Sequence, residues 1–160
     1  MKTKIGEVMT QRPHAVTPQT LIREAAQLME QEDVGSLPVV DEGVRLVGIV
    51  TDRDVAVRVV GRGLNPDKTR VGEVASSDLV ALTPEHDLDE ALALMAREQV
   101  RRLPIVVREN ELVGMLAQAD VARAGSDKPT GEVVEAISRP PRSPRVAGRD
   151  AGESSDVAAD

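Results

Sequence analysis

The strongest constraint on this chain is an internal repeat. Residues 5–57 align with residues 71–123 at an offset of 66, without a gap. The identities are spread over the whole repeat: Gly6-Glu7-Val8 with Gly72-Glu73-Val74, Thr17-Pro18 with Thr83-Pro84, Leu28-Met29 with Leu94-Met95, Leu37-Pro38 with Leu103-Pro104, and Leu46-Val47-Gly48 with Leu112-Val113-Gly114. So many coincidences at one offset do not arise by chance. The chain is therefore expected to fold as two copies of one unit.

Each copy has the pattern of a β-α-β-β-α unit. In copy one the apolar spacing predicts a strand at 15–17, a helix with Leu21, Ile22, Ala25, Leu28 and Met29 on one face, strands at 37–40 and 46–50, and a helix from Asp52 to about Val60. The turn Asp41-Glu42-Gly43 joins the last two strands into an antiparallel hairpin. In copy two the same spacing predicts strands at 81–83, 103–107 and 112–116, a helix with Leu88, Ala91, Leu92 and Met95 on one face, and a last helix from Gln118 to about Ala124. The predicted fold class is α+β, with the two repeats packed in pseudo-two-fold symmetry.

Chain length indicates that the two copies share one core. At 160 residues there is room for one ordinary domain, or for two halves too small to fold well apart. Phe, Trp and Tyr are absent, so the core must be built from Val, Leu, Ile, Met and Ala, and a flat ligand would be held by aliphatic side chains. The absence of cysteine excludes disulfides, thiolate metal sites and cysteine nucleophiles.

The predicted organisation has four parts: repeat 1 with its linker at 1–66, repeat 2 at 67–125, a short helical extension at 126–138, and a tail at 139–160. The tail is rich in Pro, Gly, Ser and charged residues, which predicts disorder. Its arginines are compatible with weak contact to an anionic partner, and a solvated tail is the simpler interpretation of Arg139, Arg142, Arg145 and Arg149.

Net charge and hydropathy narrow the function classes. A net charge of −7 argues against nucleic acid as a partner, because affinity for nucleic acid depends on phosphate neutralisation by Lys and Arg. Residues 1–7 lack the apolar core of a signal peptide, and no apolar stretch approaches the length that spans a membrane. We therefore predict a cytoplasmic protein without a membrane partner.

The doubled unit resembles a known family. Leu-Pro-Val-Val opens one strand, and Gly-Ile-Val-Thr-Asp-Arg-Asp closes the next and starts a helix. In these motifs and in element order, residues 5–124 resemble the cystathionine-β-synthase (CBS) domain pair, or Bateman module. The resemblance implies a stand-alone regulatory module that binds adenosine nucleotides between its repeats and forms a homodimer. It implies no catalytic residues and no cofactor beyond a possible regulatory AMP, ADP or ATP.

The junction at residues 46–54 is the first candidate ligand site. A helix that starts directly after a strand presents free N–H groups and a positive dipole end, which favour phosphate. The resemblance implies that Thr51 and Asp54 contact phosphate and ribose. Thr-x-x-Asp at a helix start is also a capping pattern that stabilises a helix by about 1 kcal/mol. Spacing alone favours the cap, and the two roles are compatible.

Copy two has lost the hydroxyl and kept the acid. Ala117 stands where copy one has Thr51, while Asp120 persists three residues later. An acid without its capping partner favours ribose binding, although a carboxylate in the first helical turn also stabilises the helix dipole. Arg101 and Arg102 precede the next strand, where the resemblance implies a basic residue that reaches phosphate, with Arg102 in the better position. The alternative is a salt bridge from this pair to an acid such as Glu98.

Other side chains have weaker signals. Val16, Leu37 and the Ile49 strand are expected to flank the adenine, and Arg53 points to an anion or to solvent. The histidines, His14 and His86, do not align between the copies and have no partner at metal-ligand or catalytic-triad spacing, so we assign them no chemistry. No carboxylate pair suggests acid–base catalysis, and neither an enzyme nor a metal site is expected.

Two functions from different classes follow. The first is a homodimeric sensor of an adenine nucleotide that signals to an unidentified protein partner. The second is a ligand-free dimeric interaction or structural module of a stress response, which the loss of threonine at position 117 favours.

Overall fold

The computed structural model describes residues 2–125 together with Gly131 and Glu135. Those last two residues are helical; the rest of the predicted extension at 126–138 and the predicted disordered tail at 139–160 lie outside the described residues. None of the helices in this part of the chain combines the length and the apolar character needed to cross a bilayer.

Both copies contain the predicted helices and hairpins in order. Copy one comprises a 3₁₀ turn at Ile5–Glu7, β1 (Thr10–Gln11), α1 (Ile22–Glu32), β2 (Ser36–Asp41), β3 (Arg45–Thr51) and α2 (Asp52–Asp54), which continues as a π-helix over Val55–Val60. Copy two comprises a 3₁₀ turn at Val71–Glu73, α3 (Leu88–Glu98), β4 (Arg102–Val106), a 3₁₀ turn at Arg108–Asn110, β5 (Leu112–Ala117) and α4 (Gln118–Ala124). The α+β class is therefore confirmed.

Two elements differ from the prediction. The strands expected at 15–17 and 81–83 are each a single parallel bridge, Val16 to Val39 and Leu82 to Ile105. Pairing cannot extend past Thr17 or Thr83 because proline follows each of them and has no N–H to donate. The second helix of copy one is mostly a π-helix, in which the N–H of Gly61 donates to the carbonyl of Ala56 at 2.9 Å.

The two copies exchange their N-terminal segments. Strand β1 pairs antiparallel with β5 of copy two, with Thr10 opposite Met115. The equivalent residue of copy two, Ser76, makes the matching antiparallel bridge to Ile49 of copy one. The exchange leaves a three-stranded sheet in the order β1-β5-β4 and a two-stranded sheet of β2 and β3.

The exchange also joins the two cores. Ile5 is fully buried among the core residues of copy two, including Leu92 and Met95. Val71 is fully buried among those of copy one, including Ile22 and Val50. Neither copy has a complete core without a segment of the other, as expected for halves too small to fold well apart.

Ion pairs accompany the exchange of segments. The ammonium of Lys4 donates to the carboxylate of Asp87 at the start of α3, with Nζ and Oδ1 2.7 Å apart. This hydrogen bond raises the pKa of Lys4 and lowers the pKa of Asp87. On the other side of the exchange the equivalent bridge joins Arg70 to the apolar Leu21, and the ion pair is formed instead by Arg23 of α1, whose Nη2 donates to Asp67 Oδ2 at 2.8 Å.

Candidate functional site

A cleft of about 510 Å³ lies between the repeats, beside the first turn of α4. Copy one supplies β1 with the residues that follow it, the end of α1 and the start of β2. Copy two supplies the start of β4, the end of β5 and the start of α4. Its charged and ionisable lining residues are Arg12, His14, Glu32, Arg102, Asp120 and Arg123.

Asp120 is held in place by its own helix. One carboxylate oxygen accepts the N–H of Ala117 at 2.9 Å, and the other accepts from the guanidinium of Arg123 at 3.0 Å. Although alanine cannot cap the helix with its side chain, the acid still satisfies the backbone N–H of Ala117, as in half of a capping box. Asp120 thus has a structural role, and its carboxylate keeps an edge on the cleft, with 17% of the side chain exposed.

Thr51 and Asp54 form the complete version of this arrangement. The N–H of Asp54 donates to Thr51 Oγ at 3.1 Å, and the N–H of Thr51 donates to Asp54 Oδ2 at 2.9 Å. Arg58 lies 3.6 Å from the other oxygen of Asp54. This is the reciprocal capping box that the Thr-x-x-Asp spacing indicates.

Arg102 projects into the cleft without a neutralising acid. It is half-buried at the start of β4, and neither it nor Arg101 has an ion pair or side-chain hydrogen bond to any described residue. Glu98, the alternative partner considered from the sequence, is paired with Arg97 at 2.8 Å. The positive charge of Arg102 is therefore available to an anion in the cleft.

The structure gathers three of the predicted site residues into this cleft: Leu37, Arg102 and Asp120. The other five are not among its lining residues. Val16 is buried against Val39. Arg53 is exposed on α2, and Thr51 and Asp54 cap the same helix. Arg101 lines a separate depression of about 360 Å³ that it shares with Arg102.

Sequence reasoning missed four ionisable residues of the cleft: Arg12, His14, Glu32 and Arg123. His14 Nε2 lies 3.3 Å from a carboxylate oxygen of Glu32, so the histidine without a sequence partner has a spatial one. Arg12 comes into the cleft through the exchange of β1, which no local pattern indicates. Arg123 follows Asp120 by three residues, a spacing at which helical side chains meet. This spacing is the one signal in the sequence that could have identified Arg123.

Comparison with known proteins agrees with this architecture. The CBS domain model matches the chain twice, over residues 5–61 and 71–127. The protein therefore belongs to the CBS domain family and contains the domain as a tandem pair, which confirms the resemblance identified from the sequence.

Three proteins illustrate the relationship. The CBS domain-containing protein YhcV of Bacillus subtilis is 45% identical over 120 residues, covering 75% of this chain and 84% of the relative. Hypoxic response protein 1 of Mycobacterium tuberculosis is 33% identical over 138 residues, covering 86% of this chain and 96% of the relative. A crystal structure of hypoxic response protein I with two coordinated zinc ions matches with a TM-score of 0.72 at 31% identity, covering 78% of this chain and 100% of that one. The structure of CBSX2 of Arabidopsis thaliana in complex with AMP matches with a TM-score of 0.67 at 28% identity, covering 76% of this chain and 94% of that one.

Metal ligands do not cluster in the part of the chain that the structure describes. No three side chains of His, Asp or Glu in this part lie close enough together to hold a metal ion.

Proposed function

We propose that this protein is a non-catalytic regulator that binds an adenine nucleotide between its repeats and signals occupancy to a protein partner. The observation that carries the proposal is the convergence of Leu37, Arg102 and Asp120, from both repeats, on one cleft of about 510 Å³. This volume is within the range of about 300–1,000 Å³ that is usual for small-molecule sites.

Each group suits one part of a nucleotide. Arg102, whose guanidinium has no ion pair with any residue that the structure describes, can bind phosphate by charge-assisted hydrogen bonds. Asp120 keeps acceptor capacity for ribose hydroxyls beyond its two existing contacts. Val34, which is partly exposed, and the largely buried Leu37 and Met115 form an aliphatic wall for the base, in a chain that has no aromatic residue to stack on it. The complex of the related CBSX2 with AMP supports this choice of ligand.

Such a ligand can act as a signal because it contacts both repeats. A ligand shifts a conformational equilibrium only if it binds one arrangement better than another. A nucleotide between β2 of copy one and β4 of copy two favours the arrangement that keeps both within reach. The partner would then distinguish the occupied arrangement from the empty one.

Replacing Arg102 with glutamine tests this site, with Arg101→Gln as the matched control. The two arginines are adjacent, and only Arg102 lines the larger cleft. In calorimetric titrations with AMP, ADP and ATP, we expect Arg102→Gln to weaken binding about tenfold or more, the usual worth of a hydrogen bond to a charged group. Arg101→Gln should change it much less.

Two results would contradict the proposal. One is equal loss of affinity in both variants. The other is dissociation constants above about 1 mM for every nucleotide, since a binding free energy near 4 kcal/mol is too weak for useful sensing.

We also infer that the functional unit is a homodimer. Three apolar residues after the start of α2 are largely exposed: Val57 at 52%, Val60 at 71% and Leu64 at 42%. Light scattering should give twice the chain mass of 17.1 kDa. Val60→Glu should shift the mass toward the monomer, whereas Glu30→Lys, on the exposed face of α1, should not. A monomeric wild-type protein would contradict the inference.

A second function has its own support. Asp54 and Asp120 already bind the backbone of their own helices and an arginine each. A CBS pair whose acids serve only as caps would be a ligand-free interaction module of a stress response. The nucleotide titration separates the two functions, because this module binds its protein partner whether or not nucleotide is present.

A further inference from the structure

The two halves of the molecule differ in charge around their equivalent acids. Besides Arg102, the cleft near Asp120 contains two cationic side chains, Arg12 and Arg123, and two acidic ones, Glu32 and Asp120. At the positions offset by 66 residues, around Asp54, Asp78 replaces Arg12 and Val57 replaces Arg123. There two cations, Arg53 and Arg58, accompany the acids Asp54, Asp78 and Glu98.

Arg102 adds to this difference. Arg102 and Ser36 are equivalent to each other under the offset, and both line this cleft, so both lie close to the pseudo-two-fold axis that relates the copies. Its side chain lines the cleft of Asp120 and also the depression formed with Ala117 and Ala122 of copy two. The guanidinium of Arg102, which has no ion pair among the described residues, therefore lies on the Asp120 side.

Arg12 has an unusual backbone conformation for its residue type. Its φ angle is +50°, in the left-handed region that non-glycine residues rarely adopt. The pairing of Thr10 and Gln11 with β5, and the N–H of Arg12 donating to Val113 at 3.3 Å, hold it there. A residue held in a sparsely populated conformation is often found at a binding site. The equivalent Asp78 does not share this conformation.

The cation closest to Asp54 is already engaged. Arg58 donates to the carbonyl of Val74 at 2.9 Å, besides lying 3.6 Å from Asp54. A phosphate at this half of the molecule would meet Asp54 and Asp78 with little free positive charge. Like charges in proximity oppose binding.

We propose that the protein binds one phosphate-bearing ligand per chain, in the Asp120 cleft, and that Arg12 and Arg102 select it by its phosphate charge. The identity of the base rests on the proposed function above; the selection of the anion does not. The half around Asp54, although it matches the family motif in full, is the one that rejects an anion. The ligand class is thus a nucleotide with at least the two negative charges of a phosphate monoester, in preference to an uncharged nucleoside.

Calorimetry with adenosine, AMP, ADP and sodium pyrophosphate tests the proposal. We expect one ADP per chain, with affinity rising about tenfold or more from adenosine to ADP. Arg12→Gln and Arg102→Gln should each weaken ADP about tenfold and leave adenosine unchanged. Arg53→Gln, the matched control in the other half, and Asp78→Asn should leave ADP binding unchanged. Arg12, Arg53 and Asp78 are exposed and make no side-chain ion pair in the described residues, so these variants should fold.

The outcomes separate this inference from the proposed function. Equal affinity for adenosine and ADP, two ADP per chain, or an equal effect of Arg53→Gln and Arg12→Gln would overturn the inference and leave nucleotide binding intact. Pyrophosphate binding that depends on Arg12, with no gain from adenosine, would support anion selection and overturn the adenine ligand. If no compound binds, both proposals fail.

Discussion

Replacing Ile5 with alanine is expected to lower the free energy of unfolding by about 2–5 kcal/mol, the usual cost of truncating a buried isoleucine. Ile5 is fully buried, and it fills the core of the copy to which it does not belong in sequence. Urea unfolding followed by far-UV circular dichroism measures this, because the chain has no Trp or Tyr to report by fluorescence.

The elements that lose hydrogen-exchange protection in each variant test the exchange of segments. Hydrogen exchange in Ile5→Ala should show lost protection in α3, β4 and β5 before α1, β2 and β3. Val71→Ala should show the reverse, with a smaller loss of about 1.5 kcal/mol or more because less apolar volume is removed. Glu30→Ala, on the exposed face of α1, is the surface control, and it should change stability by less than about 0.5 kcal/mol. Loss of protection confined to copy one in Ile5→Ala would contradict the exchange.

Most of the fold could be predicted because the repeat amplifies weak local signals. A hairpin or an amphipathic helix that occurs twice at one offset is difficult to attribute to chance, and α1 and α3 begin at equivalent residues, Ile22 and Leu88. The exchange could not be predicted in the same way. A two-residue strand has no periodicity to detect, and β1 finds its partner Met115 far along the chain. Short-range patterns contain no information about such a pairing.

The candidate site could be predicted only in part from the sequence, for the same reason. Leu37, Arg102 and Asp120 lie on elements that the repeat predicts, and they converge on one cleft. Arg12 and His14 come into that cleft with the exchanged segment, so their role depends on tertiary structure alone. The sequence motif drew attention to Thr51 and Asp54, whose contacts in the structure are those of a helix cap. Ligand contact at these two residues stays a prediction.

Local and overall charge lead to different conclusions about partners. The chain has a net charge of −7, which opposes a general affinity for polyanions. Arg12 and Arg102, which form no ion pair within the described part of the chain, nevertheless give one cleft positive charge where Asp78 and Asp54 make the equivalent region negative. A small anion can therefore be attracted to one place on a protein whose net charge is negative.

The second large effect is expected at Gly114, where β5 meets the exchanged segment. A Cβ at this position would lie 2.5 Å from Met9 Sδ and 3.1 Å from the carbonyl oxygen of Thr10. Gly114→Ala should lower the free energy of unfolding by about 1–3 kcal/mol, the usual cost of overpacking. Because β1 has to move away from β5, and β1 with Arg12 lines the cleft, the variant should also bind ADP more weakly.

A double-mutant cycle with Met9→Ala separates the side-chain clash from the backbone clash. Met9→Ala removes the sulfur and should recover part of the stability and of the ADP affinity lost in Gly114→Ala. The equivalent Gly48 is the control, since its Cβ would meet the carbonyl oxygen of Ser76 at 3.1 Å and no methionine. Met9→Ala should therefore be additive with Gly48→Ala, within about 0.5 kcal/mol. Additivity at Gly114 as well would show that β1 does not pack on β5 as described, and it would remove the structural basis for placing Arg12 in the cleft.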